Sequence, residues 1–163
     1  MKATAAGALF AFALAGCGGG QIKIEPLPVP AQPIFDQVVV PGQRIGPVAL
    51  GMQGSDLVRW LGPPVRSHHA FDDGTMNTFA NGINAFVKDK DNRVSMISTD
   101  APGYATSGGA GVGSSEIEIR SRMGAPTKTS SEAFRALCYP GMAFTLNQDG
   151  RAWSISVSEE YRC

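Results

Sequence analysis

The sequence predicts an α+β fold, with two tandem repeats, each a short helix followed by antiparallel strands, forming one helix-on-sheet domain. Three observations lead to this prediction. The glycine, apolar and proline positions of residues 47–64 recur in the same order over residues 109–126. Both segments end in Gly-x-Pro, which stops a helix. Stretches of alternating apolar and polar residues then follow in both copies, as is typical of strands.

Residues 1–16 predict a secretory signal peptide. Lys2 is followed by an apolar run that is too short to cross a bilayer as a stable helix. The next four residues, Leu14-Ala15-Gly16-Cys17, resemble a bacterial lipobox, a motif whose cysteine is acylated and becomes the new N-terminus. We therefore expect Cys17 to carry acyl chains that hold the protein on a membrane. An ordinary signal peptide with an incidental cysteine is the alternative.

Residues 17–42 are expected to form the lipidated N-terminus and a tether. Glycines and spaced prolines favour a flexible and extended chain there. Gly18 directly after the lipidated cysteine resembles the pattern of lipoproteins sorted to the outer membrane. The expected location is therefore the bacterial envelope, on the outer membrane facing the periplasm. The tandem-repeat domain is expected over residues 43–163.

The first copy is expected over residues 44–99. Leu57 and Leu61 lie four residues apart on one face of a short helix, with Ser55 as its cap and Gly62 at its end. Strands are expected to follow over residues 65–71, 75–80, 83–88 and 93–99.

The second copy is expected over residues 106–158. Ser115 and Glu118 have the spacing of a capping box, and Ile119 and Met123 lie on one face of the helix that follows. Strands are expected over residues 127–131, 133–138, 142–147 and 152–158.

The remaining cysteines are expected to form a disulfide. An exported protein meets an oxidising environment, and with Cys17 lipidated only Cys138 and Cys163 are left to pair. Closing this loop would stabilise the fold by about 3 to 4 kcal/mol on the chain-entropy model. Neither cysteine has the sequence context of a catalytic nucleophile.

A family resemblance rests on the segments PVALGMQGSDLVRWLGPP (47–64) and NGINAFVKDKDNRVSMIS (81–98), together with their second copies. These segments resemble repeats of the β-lactamase-inhibitor-protein-like and small outer-membrane-assembly lipoprotein (SmpA/OmlA, BamE-like) group. The resemblance implies a helix layer on an antiparallel sheet that binds other proteins and does not catalyse. Inhibition of β-lactamase itself is not carried over.

The glycine-rich residues 107–126 do not have the pattern of a phosphate-binding loop. Glu116 stands where a dinucleotide fingerprint requires its third glycine, and Gly113 precedes serines in place of the lysine of a P-loop. We therefore expect no nucleotide and no cofactor. Basic and acidic residues number 14 each, with no basic run, so nucleic acid is not an expected partner either.

Two segments carry residue types that can ligate metal ions. His68 and His69 are neighbours on a predicted strand and point to opposite faces, so we expect ordinary strand residues there. A weak surface site with Asp72 and Asp73 is the alternative. Residues 89–92 lack the glycine and final glutamate of a calcium loop. No metal is therefore expected.

Phe86 is the candidate for an exposed protein contact. It lies on the opposite face of its predicted strand from Ile83 and Val87. In the last strand, Trp153 is expected to share a face with the apolar residues that follow it. Most other aromatic side chains are expected in the core: Trp60, Phe71, Phe79, Phe134, Tyr139 and Phe144.

The sequence shows no catalytic constellation, and we do not expect an enzyme. The expected function is a lipid-anchored protein-binding or envelope-assembly accessory module, whose partner is another envelope protein. The alternative is an inhibitor or immunity-type lipoprotein that occludes an envelope enzyme such as a lysozyme or peptidase. An enzyme with unrecognised chemistry is the third class.

Overall fold

The computed structural model describes residues 35–70, 73–131 and 134–159. The chain divides into two units, residues 1–31 and 32–163, and every described residue belongs to the second. The predictions for the signal peptide, for Cys17 and for Cys163 therefore lie outside the described residues.

The described residues form strands in the main, with two helices of eight residues. The helices are α1 (Gly54–Leu61) and α2 (Glu116–Met123). The strands are β1 (Val38–Val40), β2 (Arg44–Ile45), β3 (Val48–Ala49), β4 (Arg66–Ala70), β5 (Gly74–Thr78), β6 (Ile83–Lys88), β7 (Arg93–Thr99), β8 (Ala105–Thr106), β9 (Lys128–Ser130), β10 (Arg135–Tyr139), β11 (Met142–Leu146) and β12 (Ala152–Ser158).

The strands form a large sheet and a small one. The large sheet has the order β4-β5-β6-β7-β12-β11-β10-β9, and each neighbouring pair is antiparallel. It consists of two meanders of four strands that meet where β7 pairs with β12. The small sheet has the order β3-β2-β1-β8, in which β1 and β8 run parallel.

One face of the large sheet carries the core. The register places Ile97 opposite Val157 and Phe144 opposite Ile155, and all four side chains are fully buried. The small sheet contributes buried apolar residues to the same cluster, and each helix contributes one buried residue: Val39, Ile45 and Val48 from the small sheet, Leu57 from α1 and Ile119 from α2.

The predicted α+β class is wrong. The fold is mostly β, with sheets of four and eight strands, and not a two-repeat helix-on-sheet domain. The prediction overrated the helices, which bury one residue each, and missed the small sheet entirely. Three of its strands have two residues, too few to show any alternation in the sequence.

The same backbone contact nevertheless occurs in both halves of the chain. The Gly51 amide donates to the carbonyl of Val94 at 2.7 Å, and the Gly113 amide donates to the carbonyl of Ala152 at 2.7 Å. Both glycines have positive φ, which favours glycine over other residues. The glycine-rich stretch 107–126 is therefore a turn and helix start, because Gly113 has the same backbone role as Gly51.

The predicted N-cap residue is correct for one of the two helices. Ser115 and Glu118 form the predicted capping box of α2. The predicted cap of α1 is wrong, because Gln53 is the N-cap residue and Ser55 lies inside the helix. Gln53 makes no side-chain capping bond, so α1 begins without the stabilisation that Ser115 gives to α2.

The end of the predicted tether belongs to the folded body. Val38–Val40 form β1, and Val39 is 2% exposed. The turn after β1 is bonded to the turn between β10 and β11, because the Gly42 amide donates to the carbonyl of Gly141 at 2.9 Å. A Cβ on Gly141 would lie 2.5 Å from the Gly42 Cα, so this approach requires glycine.

Replacing Gly141 is therefore expected to destabilise the fold by about 3 kcal/mol or more, since Gly141→Ala adds a backbone clash to the strain of a positive φ. Gly150→Ala is the matched control: φ is also positive there but a Cβ meets nothing within 4 Å, and about 1 kcal/mol is expected. Urea unfolding measures both, and equal losses would contradict the close-approach argument.

Candidate functional site

Two aromatic side chains lie in contact on the surface of the second half. Phe134 is 65% exposed and Trp153 is 45% exposed, and their ring centroids lie 6.2 Å apart at 60°. Single exposed apolar side chains are ordinary on protein surfaces, whereas a touching aromatic pair marks a candidate contact site. We call this pair, with the residues around it, the aromatic surface.

The aromatic surface borders a cleft of about 580 Å³. The lining also includes Leu146, which is buried, and the exposed polar residues Asn147 and Gln148. Apolar groups beside a few polar ones are the pattern of a binding site.

A β-bulge brings Trp153 into this position. Leu146 pairs with Ala152, while the preceding Thr145 pairs with Ser154, so Trp153 is the extra residue of β12. The alternation of β12 therefore shifts at Trp153, and Ala152 is buried in its place at 2% exposure. This is why Trp153 does not share the buried face of Ile155 and Val157 that the alternation predicted.

Arg135 also lines the cleft, and it forms an ion pair within the fold. Its guanidinium contacts the carboxylate of Glu116 at 2.5 Å, and Arg120 contacts the same carboxylate at 2.8 Å. The Glu116 side chain is 17% exposed, so these bonds form in a partly desolvated position. The pair fixes the direction of Arg135 beside the aromatic rings.

Tyr139 lies at the other end of β10 from Arg135 and has a structural role. Its hydroxyl donates to the carbonyl of Gly124 at 3.1 Å, and its ring meets Phe144 edge-on at 6.0 Å. Burial raises the pKa of Tyr139, so the phenol stays neutral and serves as a donor to the end of α2.

The expected exposure of Phe86 is wrong. Phe86 lies opposite Ile83 and Val87 on β6, as expected, but it is 5% exposed. A Cβ on Gly74 of the neighbouring strand would lie 2.6 Å from the Phe86 ring, so the ring packs directly over that glycine. The predicted contact Phe86 is therefore buried, whereas Phe134, one of the aromatic residues of which most were expected in the core, is exposed.

Of the two cysteines that are predicted to pair, Cys138 alone lies among the described residues. Cys138 lies on β10, is 4% exposed and is disulfide-bonded. Its predicted partner, Cys163, is outside the described residues, and so is the lipidation site Cys17. The pairing and the lipidation both stay predictions.

The histidines lie on the edge strand β4. His69 Nδ1 is 3.8 Å from a carboxylate oxygen of Asp89, and both side chains are more than half exposed. Within the ranges that the structure describes, no group of three His, Cys, Asp or Glu side chains is placed to hold a metal ion. Neither of the two described helices is long and apolar enough to cross a membrane.

No protein-family model matches the sequence, and no curated protein is similar to it. Solved structures that are similar to this chain include the following three. A cysteine-rich secretory protein (SAV1118) from Staphylococcus aureus has a TM-score of 0.52 at 11% identity, covering 78% of this chain and 50% of its own. An extracellular protein containing a SCP domain from Bacillus anthracis has a TM-score of 0.50 at 8% identity, covering 76% and 50%.

The third structure is a DUF4309 family protein (YjgB) from Bacillus subtilis, with a TM-score of 0.47 at 12% identity over 65% of this chain and 77% of that one. The chain spans about half the length of the first two proteins. At these identities the similarity concerns the fold alone. None of the three is a BamE-like or β-lactamase-inhibitor-like protein, and that resemblance stays a prediction.

Because Trp153 is half exposed, Trp153→Ala is expected to reduce the free energy of unfolding by only about 1 to 2 kcal/mol. Phe144→Ala, at a fully buried position of the neighbouring strand, is expected to cost about 3 to 5 kcal/mol. Denaturant unfolding of the two variants compares them, and an equal loss would show that Trp153 serves the core.

Proposed function

We propose that this chain is an exported, lipid-anchored protein of the bacterial envelope whose folded body binds another envelope protein and catalyses no reaction. The aromatic surface is the observation that carries the proposal. Phe134 and Trp153 expose apolar area beside Arg135, whose direction is fixed by Glu116. Trp and Arg are enriched among the residues that dominate binding energy at protein interfaces.

The geometry of this surface suits a protein partner. Aromatic rings at the centre of an interface gain most when polar groups at the rim exclude water around them. Asn147 and Gln148 line the cleft and are exposed, while Leu146 adds a buried apolar side chain to the lining. Asn147 is held in place because its side-chain oxygen accepts from the Asp149 and Arg151 amides at 3.0 and 2.9 Å.

Export and anchoring are supported by the N-terminal sequence. Lys2, the apolar run after it and the Leu14–Cys17 motif are the combination that a lipoprotein signal requires. Two of the proteins of similar fold are described as extracellular or secretory, which agrees with export. We propose acylation of Cys17 and, because Gly18 follows it, sorting to the outer membrane.

The anchor makes a direct prediction for the mature chain. Intact-mass measurement of membrane-extracted protein is expected to give a chain that starts at Cys17 and carries the added mass of acyl chains, since two or more chains are needed for firm anchoring. Cys17→Ser should abolish the added mass. A wild-type chain that starts at Cys17 without added mass would refute the anchor but leave protein binding open.

The binding surface is tested by a photo-crosslinking amino acid placed at position 153 of the full-length chain in its bacterial host. We expect one discrete protein adduct, which is then purified for measurement of affinity. Trp153→Ala should weaken binding to that purified partner by about thirtyfold or more, as for an interface hot spot.

Position 35 is the matched control, because Phe35 is an aromatic residue that is 72% exposed and lines neither this cleft nor the one beside α1. An adduct from position 35 equal to that from position 153, or an unchanged affinity of Trp153→Ala, would refute the proposed surface. An assembly protein in the adduct supports the accessory function. A lysozyme or peptidase in the adduct, with loss of its activity, identifies the occluding alternative.

A further inference from the structure

The two halves of the chain differ where each helix meets the large sheet. In the second half, Glu116 fills this position. Its carboxylate accepts from Arg120 Nε at 2.8 Å and pairs with Arg135 of β10. The space between α2 and the sheet is thus occupied by three charged side chains of the protein itself.

Backbone contacts identify the equivalent residues of the first half. The Gly54 amide donates to Asn92 at 2.9 Å, as the Glu116 amide donates to Gly150 at 2.9 Å. Gly54 therefore takes the place of Glu116. Four residues further along α1, Val58 takes the place of Arg120: the carbonyl of each accepts the amide of the glycine that ends its helix.

The strand equivalence follows in the same way. The Val65 amide donates to the carbonyl of Thr78, and the Thr127 amide donates to the carbonyl of Cys138, both at 2.8 Å. Thr78 and Cys138 are therefore equivalent. Thr75 of β5 and Arg135 of β10 each lie three residues before them, so Thr75 takes the place of Arg135. All three charged residues are therefore replaced in the first half, by glycine, valine and threonine.

The result is an open cleft between α1 and the large sheet, with a volume of about 400 Å³. Buried apolar side chains line it: Leu57 at 1% exposure, Phe79 at 2% and Val87 at 7%. Val58 stands at the wall and is 49% exposed, so the cleft opens to solvent beside it. We call it the α1 cleft.

We propose that the α1 cleft is a second binding site, which accepts one apolar side chain of a partner polypeptide. This inference rests on the proposed function in that the partner is a protein. The equivalent position of the second half shows that the space suits side chains, because it is filled by side chains there.

The charge of the site decides which side chain fits. The carboxylate and two guanidiniums of the second half have no counterparts at Gly54, Val58 and Thr75. The lining also includes Lys88 and Asp89, but both are exposed to solvent. A charged group entering the apolar part of the α1 cleft would therefore lose its hydration without gaining a buried ion pair, which is costly. An aliphatic or aromatic group instead gains contact with the apolar lining and leaves no buried charge unpaired.

Polar groups of the lining can bond the peptide that carries this side chain. Ser55, Thr75 and Asn77 line the cleft beside its apolar residues. Hydroxyl and amide groups both donate and accept, so they match the N–H and C=O groups of a peptide backbone. An apolar floor with a few polar groups is the usual composition of a site of this size.

The experiment uses two probes on the folded protein, observed through backbone amide shifts in two-dimensional NMR. N-acetyl-leucine amide carries the apolar side chain, and N-acetyl-glycine amide is the same molecule without it. We expect the leucine probe to shift the amides of Leu57, Val58 and Val87 saturably, in the low-millimolar range of a fragment. The glycine probe should leave them unshifted.

Closing the cleft tests the site itself. The triple variant Gly54→Glu, Val58→Arg and Thr75→Arg copies the charged residues of the second half and should weaken the leucine probe at least about tenfold. A Cβ at Gly54 meets only the end of the exposed Asn92 side chain and Val87. Val58→Arg alone, at a half-exposed helix position, is the second variant if the triple variant folds poorly.

Arg120→Val is the matched control, because it changes the position in α2 that is equivalent to Val58 and should leave the probe affinity unchanged. Shifts that are equal for both probes, or that persist in the closed variants, would overturn the proposal. Loss of the crosslink at position 153 with intact probe binding would instead refute only the proposed function, so the two failures are distinguishable.

Discussion

The pairing of β7 with β12 is the interaction on which the rest of the fold depends. Each four-stranded meander has one apolar face, and neither half has enough of its own cover for it, since each helix buries a single residue. The β7–β12 ladder places Ile97 beside Val157 and joins the faces into one. Thr99, fully buried at this junction, satisfies its hydroxyl by donating to the carbonyl of Gly82 at 2.9 Å. The small sheet then packs against this one continuous core.

Shared backbone geometry allows the two halves to differ in side chains without loss of the fold. The turn at Gly51 or Gly113 and the helix end that follows it are fixed by main-chain bonds in both halves. Side chains around each helix are therefore free to diverge. In the second half they fill the space beside α2 and build the aromatic surface, whereas in the first they leave the α1 cleft open. Both proposed sites lie where the halves differ.

Elements with a periodic or capping pattern in the sequence were predicted correctly, whereas elements without such a pattern were missed. The strand expected over residues 93–99 is β7 as observed, and the capping box at Ser115 is present, because alternation and capping have local signatures. The small sheet consists of segments too short for alternation, so the fold class was wrong. The aromatic surface depends on the bulge at Trp153, which arises from the register with β11 and leaves no local signal. Phe86 is buried through its contact with Gly74, a long-range fact of the same kind.

The position of β1 has a mechanical consequence. It is the first described strand and an inner strand of the small sheet, bonded to β2 on one edge and to β8 on the other. In a protein held by an N-terminal anchor, tension along the chain would enter the folded body at β1. The ladders with β2 and β8 and the Gly42–Gly141 hydrogen bond would then share that load. The Gly42–Gly141 bond would pass part of it directly to the turn between β10 and β11. The strand at which tension would enter the folded body is thus hydrogen-bonded to a neighbouring strand on each of its two edges.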